Sequence, residues 1–352
     1  MGQTTFAKRK TGIETGFDLV HAQLLRFFPE LVAALGGDPE TLMREAGLDS
    51  AHAADSLPRA TYRQAVTLIE HAAAALDCAD FGMRLATRQS DDVYGPLGSV
   101  MKNSATFGDA LDYVSTHIYA HSLAARVWQK RLRSGNAVFV GHDILLDRMP
   151  HRSQTMEQLL LVGHLSTLKI TGGRARARRV HFRHLPVSPR KTYRRYFGCE
   201  VRFGQTADGI VYSDHDLASP IIASDTHAYR RAITFIDAAF TEQRPPLHAQ
   251  ARGLIMQLLT SGDCTNQRIA TELKLHARTV HRRLAVEGTS FHRIKDEVRR
   301  DLMLYYSRQT DLDFARITER LGFAEQSVLT RNCRRWFSMT PTEMRALDVM
   351  DE

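Results

Sequence analysis

The stretch NQRIATELKLHARTVHRRLAVEG, residues 266–288, holds two short helical periods with a turn between them. Ile269, Ala270 and Leu273 put one apolar face on a first helix, and Leu275 fills the turn. Val280 and Leu284 then give a second helix an inward i,i+4 pair. That spacing predicts a helix-turn-helix over about 266–285. The outward positions of its second helix are Arg278, Thr279, His281 and Arg282. A DNA major groove admits one helix, and long donors near the helix N-terminus reach base edges or phosphates.

About 45 residues later the design returns in ITERLGFAEQSVLTRNCRRWF, residues 317–337, within a second unit expected over 314–337. Ile317 and Leu321 face inward, Gly322 supplies a turn where positive φ is cheap, and Phe323 plugs the corner. Leu329 and Cys333 form the inward pair, while Gln326, Ser327, Thr330 and Arg331 point outward, with Arg334 and Arg335 further along toward the phosphate backbone. Between the repeats, Phe291 to Gln309 reads as one amphipathic helix spanning roughly 28 Å at about 1.5 Å per residue. Successive major-groove faces lie ~34 Å apart, so one chain can offer two recognition helices to one side of a duplex. Arg282 and Arg331 suit bidentate contact with guanine and Gln326 with adenine. Lys295 and Arg299, on the connecting helix, would add at most sequence-independent attraction.

Upstream the pattern changes. Residues 241–250 (TEQRPPLHAQ) are polar, carry two prolines and lack periodicity, which marks a linker ahead of a DNA-binding unit over 251–346. Residues 17–240 mix helices and strands without a βαβ rhythm, so this part is expected to be α+β and the remainder all-α. Helices are expected over 17–36, 59–77, 79–88, 106–121 and 153–170, and another starts at Asp38-Pro39 with the aspartate as cap. Ala124 to Lys130 and Ala137 to Ile144 read as a hairpin around Ser134-Gly135-Asn136, and shorter strands are expected at 179–182, 201–203 and 209–212. Residues 1–16 are expected to be disordered.

Composition narrows the classes. The chain has 352 residues and a formal net charge of +8, and no apolar run approaches the ~18 residues that cross a bilayer. A start of MGQTTFAKRKTG lacks the apolar core of a secretory signal, so a cytoplasmic location is expected, with no membrane partner. Cys78, Cys199, Cys264 and Cys333 are far apart without CxxC spacing, which argues against disulfides and a zinc cluster. His117 and His121 have helical i,i+4 spacing but no third ligand at a recognisable distance, so neither metal nor cofactor is expected. Ser122, His142 and Asp147 lack any nucleophile-elbow setting, and no enzyme is expected. The positive charge is uneven. Residues 251–352 hold 17 basic and 14 acidic residues, whereas 174–202 holds ten basic residues against Glu200. Alternation of Arg174, Arg176 and Arg178 suits the outer side of an edge strand.

The segments RTVHRRLAVEGTSF (278–291), DEVRRDLML (296–304), the LGF turn, SVLTRNCRRWF (327–337) and Thr340-Pro341 resemble the AraC/XylS family of bacterial transcription regulators over roughly 266–346. That family usually has aromatic residues at Leu329 and Cys333, alanine at Thr318 and Asn332, and glycine at Ser338. Cys333 therefore implies a smaller, less rigid second core. LGGDPETLMREAGLD (35–49), FGMRLATRQ (81–89), GPLGSVMKNSATFGDAL (95–111) and YRRYFGCEVRFGQTADGIVY (193–212) resemble the sensor domain of the OruR-like, arabinose-binding-type branch.

The resemblance implies a regulator that binds double-stranded promoter DNA, works with RNA polymerase, responds to a small-molecule effector and can form a homodimer. Apolar helix faces meet isolated polar groups at Tyr94, Tyr119, His121, Gln154 and Glu157, which are the candidate effector contacts. Two other readings stay open: a DNA alkyl-transfer repair enzyme on the same DNA-binding module, and a regulator whose N-terminal part only dimerises.

Overall fold

The computed structural model describes residues 17–348 apart from 19, 21, 49–59, 134, 150 and 241–244. The expected disorder of 1–16 and most of the expected linker's proline-free start lie outside the described residues.

The N-terminal half opens with helices α1 (Phe28–Ala34), α2 (Pro39–Glu45), α3 (Tyr62–Ala75), α4 (Phe81–Arg88), α5 (Pro96–Asn103) and α6 (Phe107–His117). Asp38 caps α2 through Glu40 N, as its sequence suggests. The single helix expected over 17–36 is instead a 3-10 turn, Ala22–Leu25, followed by α1. Pro29 lies in the first turn of α1, where its missing N–H costs nothing, but its ring would clash with the carbonyl four residues back in a longer helix. Phe27 accordingly adopts φ 66° at the break.

Strands β1 (Ala125–Arg131) and β2 (Ala137–Ile144) form the expected hairpin, then come α7 (Ser153–Ile170), β3 (Arg179–His181), α8 (Arg190–Phe197), β4 (Glu200–Arg202), β5 (Gly209–Ser213), α9 (Asp214–Leu217) and α10 (Thr226–Phe240). They build one five-stranded sheet in the order β1-β2-β5-β3-β4, antiparallel except for β3 and β4. Residues 174–178 are not a strand. Gly172 and Gly173, both at positive φ, turn the chain, and it meets the sheet only where Arg178 N donates to Val211 O. The alternation there is real but local, with Ala175 and Ala177 buried between exposed arginines.

Helix α7 runs through the middle of this half and is buried almost all round, polar residues included. Its fit against α4 is close: a Cβ on Gly82 would stand 2.0 Å from the Gln154 carbonyl oxygen.

The C-terminal half is helical: α11 (Leu247–Leu258), α12 (Asn266–Glu272), α13 (Ala277–Val286), α14 (Phe291–Gln309), α15 (Phe314–Arg320), α16 (Gln326–Phe337) and α17 (Pro341–Asp348). Thr265, Ser290 and Asp313 cap α12, α14 and α15 through their side-chain oxygens. Ile269, Val280, Leu284, Ile317, Leu321, Leu329 and Cys333 are fully buried in one core with α14. Gly322 turns at φ +62°, as expected, and Lys274 fills the matching place in the first unit at φ 55°.

Candidate nucleic-acid interface

Because Val280 and Leu284 are driven into the core, the opposite face of α13 exposes Arg278, His281 and Arg282, with Thr279 half-buried. In α16, burial of Leu329 and Cys333 exposes Gln326, Ser327, Arg331, Arg334 and Arg335, with Thr330 half-buried. Among the described residues Arg278, Arg282 and Arg331 have no acidic partner. Ser327 donates to Glu325 Oε2 at 3.0 Å, and Thr330 donates to the Gln326 carbonyl at 3.1 Å. Arg335 is engaged: its guanidinium pairs with Asp296 of α14 and donates to Asn332 Oδ1 at 2.7 Å, while Trp336 Nε1 donates to Asp296 Oδ2 at 3.1 Å.

The connecting helix carries out a task its sequence hides. Arg299 donates to the carbonyls of Leu321 at 2.8 Å and Gly322 at 2.6 Å and lies 4.1 Å from the centroid of the Phe323 ring. Lys295 donates to the Cys264 carbonyl at 2.7 Å, and burial lowers its pKa. These two cations tie α14 to the turn of the second unit and to the entrance of the first. Thr318 and Asn332 satisfy their polar groups on the preceding helical turn, to Phe314 O at 2.6 Å and Val328 O at 2.8 Å, so both sit in α-helix at little cost. Ser338 ends α16 at φ 61°.

In the N-terminal half a cavity of about 80 Å³ lies between α5, α6, α7 and the sheet. Tyr94 and His121 line it, the two rings 6.2 Å apart and edge-on. Tyr119 instead lines a wider cleft of about 620 Å³ between the halves, with His117, Arg126, Trp128, Leu254 and Glu272. Gln154 and Glu157 serve packing. Gln154 accepts from Gly82 N at 2.9 Å and donates to the Ala79 carbonyl at 2.8 Å. Tyr193 donates to Glu157 Oε1 at 2.6 Å, and burial pushes the Glu157 carboxyl well above the usual range. Glu70, half-buried, accepts from Thr155 N at the start of α7 at 2.9 Å; burial raises its pKa to about 7.

The two faces of the β1–β2 hairpin look in different directions, since successive side chains alternate. Val127 and His142 are paired across it and line the cavity. Their neighbours Arg126 and Asp143, also paired, face the C-terminal half. Arg126 donates to Gly253 O at 2.7 Å and Gln257 Oε1 at 2.8 Å in α11, and the fully buried Asp143 accepts from Trp128 Nε1 at 2.7 Å and Arg183 at 3.1 Å. A Cβ on Gly253 would meet Arg126 Cδ at 2.5 Å, so only glycine admits this contact.

Among the described residues, half of the ten basic residues over 174–202 have acidic partners, Arg195 facing Asp80 among them. Arg178 is bidentate to Asp216, Arg183 pairs with Asp143 and Asp208, and Arg179 and Arg202 share Glu200. His117 stacks on Tyr113 and bonds its carbonyl at 2.9 Å; among the described residues no three His, Cys, Asp or Glu side chains gather as a metal site. All four cysteines are free, and burial pushes their thiols up, Cys199 to about 11 and Cys333 to about 12.

Two helix-turn-helix units on a rigid connecting helix, behind an α+β domain with its own cavity, define a two-headed DNA-binding regulator. The model for the arabinose-binding domain of AraC transcription regulators matches residues 36–221, and a helix-turn-helix domain model matches 269–346. The chain belongs to the AraC family of transcription regulators. It is 34% identical over 93% of its length to the HTH-type transcriptional regulator VirS of Mycobacterium tuberculosis, covering 96% of that protein. It is 24% identical over 75% of its length to the Ornithine utilization regulator of Pseudomonas aeruginosa, covering 78% of it. The crystal structure of the regulator CdpR from Pseudomonas aeruginosa aligns over 75% of this chain and 86% of its own at 21% identity, with a TM-score of 0.38. No helix among the described residues is long and apolar enough to cross a membrane.

Proposed function

We propose that α13 and α16 enter successive major grooves of promoter DNA and that a small molecule in the N-terminal cavity sets the affinity. One observation carries the first part: three arginines stand exposed, without acidic partners among the described residues, on helices whose opposite faces are fully buried. A guanidinium with no internal partner is available for guanine or phosphate. Arg278, Thr279, His281 and Arg282 read the first half-site; Gln326, Ser327, Thr330 and Arg331 read the second. Arg334 contacts phosphate, and Arg335, shared with Asp296, orients α16.

Residues 17–240 are the sensing unit and the C-terminal helices are the DNA-binding unit, which starts earlier than the expected 251, because Leu247 and Ala249 of the expected linker 241–250 are already buried in helix α11. The β1–β2 hairpin supports the coupling, because it lines the cavity with Val127 and His142 and grips α11 with Arg126. A ligand that moves the hairpin would bias where the two heads stand. Exposed Phe235 on α10 is where a homodimer would bury apolar surface. RNA polymerase is the partner this role requires.

Raised thiol pKa values speak against alkyl transfer, which needs an activated thiolate. The test is footprinting on DNA selected from random sequence. Two protected half-sites one turn apart support the reading; one half-site, or stoichiometric alkylation of a cysteine by methylated DNA, rejects it.

A further inference from the structure

We propose that the cavity takes a compact, neutral, mostly hydrocarbon molecule with a single hydrogen-bonding head, and not a sugar or an amino acid. The inference rests on the sensing reading and names the ligand class of that site.

The walls are apolar, with Phe107, Leu111, Val114 and Ile118 on one side and Leu159 and Leu160 on the other. Among the described residues no Asp, Glu, Lys or Arg lines the space. A carboxylate or ammonium buried there would have no countercharge, which is prohibitive in an apolar setting. A pentose carries a ring oxygen and four hydroxyls, each needing a partner once water is removed. The cavity has few to offer. Thr167 already donates to the Gly163 carbonyl at 2.8 Å and accepts from Tyr212 at 3.5 Å. His142 Nε2 is buried without a hydrogen-bond partner among the described residues. Because β2 alternates, Val140 and His142 share the face that looks into the cavity, while Asp143 looks away. Tyr94 makes no hydrogen bond through its hydroxyl among the described residues and lies on the same wall as Gly163, whose absent side chain leaves that hydroxyl room.

His121 also lines the chamber, its ring edge-on to Tyr94, and Thr167 and Tyr212 are bonded to each other. His142 and Tyr94 are therefore the pair placed to meet one hydroxyl or carbonyl while the hydrocarbon part gains from burial. Burial lowers the His142 pKa, so the imidazole is neutral and can donate or accept. The space, about 80 Å³, is several times the ~10–15 Å³ that one water requires. Met101 on its wall is the side chain best able to yield to a larger guest.

The experiment uses the full chain and four probes: phenol, benzene, L-arabinose and L-ornithine. Binding is followed by calorimetry and by nuclear Overhauser contacts from the probe to the Ile118 and Val127 methyls. Phenol should show those contacts and bind roughly fivefold more tightly than benzene, from its one added hydrogen bond. His142→Leu, which keeps the cavity and removes the nitrogen, should erase most of that preference while benzene still binds.

Arabinose or ornithine displacing phenol from these methyls would overturn the ligand class and leave the sensing reading intact. Failure of phenol to bind, or binding without contacts to either methyl, overturns the proposal outright. Promoter affinity with and without saturating phenol is a separate readout. Phenol seated in the cavity with that affinity unchanged supports this inference and counts against sensing at this site.

Discussion

Arg299 donates to the carbonyl oxygen of Gly322 at 2.6 Å, and this contact joins the connecting helix to the turn of the second helix-turn-helix. Leu321 is the C-cap of helix α15, so its carbonyl is among those a helix end leaves without an internal donor, and Gly322 follows it in the turn. The geometry of the second DNA-reading head relative to the first therefore depends on a side chain that touches no base.

Arg299→Met keeps the stem of the side chain and removes its donors. Hydrogen bonds from a charged group are worth about 1.5 to 3 kcal/mol, and half-burial here places the expected loss near the lower end of that range. Urea unfolding measures it. Affinity for a two-half-site duplex should fall more than affinity for a single first half-site. Equal loss on both would mean that the contact stabilises without orienting.

Arg282→Ala tests base reading. If Arg282 is bidentate to guanine, specific binding should weaken by about 1 to 3 kcal/mol, while binding to random DNA at the same salt changes little. Competition titration at fixed ionic strength gives both numbers. Parallel losses would make Arg282 a phosphate contact.

Arg126→Met removes the donors that clasp Gly253 and Gln257 while filling the same space. The two halves should then unfold with separated transitions in calorimetry, where the parent chain shows closer ones. Asp143 remains paired with Arg183 in the variant, so its buried carboxylate keeps a countercharge and the N-terminal transition should move less than the separation between the two.

Glu70 makes stability depend on pH. Its folded pKa of about 7 lies above the ordinary value of 4.5, so the folded state binds the proton more tightly. Its contribution is fully present below pH 4.5 and is lost as pH rises through 7. Glu70→Gln keeps an acceptor for Thr155 N and abolishes the titration. The variant should gain on the parent by up to roughly 3 kcal/mol between pH 4.5 and 8, less whatever solvent screens. His164, whose pKa burial lowers to about 4, acts in the opposite direction, losing stability as pH falls below 6.5. Subtracting parent from variant at each pH isolates Glu70.

The sequence alone determined the DNA-binding half, because its signals are local. Helical period, Gly322 at a left-handed turn and inward pairs such as Val280 with Leu284 are all written within one or two helical turns. The hairpin was equally legible, and α7 was bounded correctly, because alternation and an apolar run need no distant partner. Pro29 also carried its message, that a helix cannot run from 17 to 36, although an apolar period outweighed it on the page. What contact between remote segments decides was not legible. No spacing says that the exposed-looking Arg299 reaches a carbonyl 23 residues on, that Arg126 crosses 127 residues to Gly253, or that Asp143 and Asp208 absorb the charge of Arg183. The same holds for the sensor. Gln154 and Glu157 looked like ligand groups because they are polar on an apolar helix, yet Gly82 and Tyr193 claim them, while His142, hidden in a strand, is left facing a cavity. A polar side chain's role depends on whether folding brings it a partner, and only the tertiary structure supplies or withholds one.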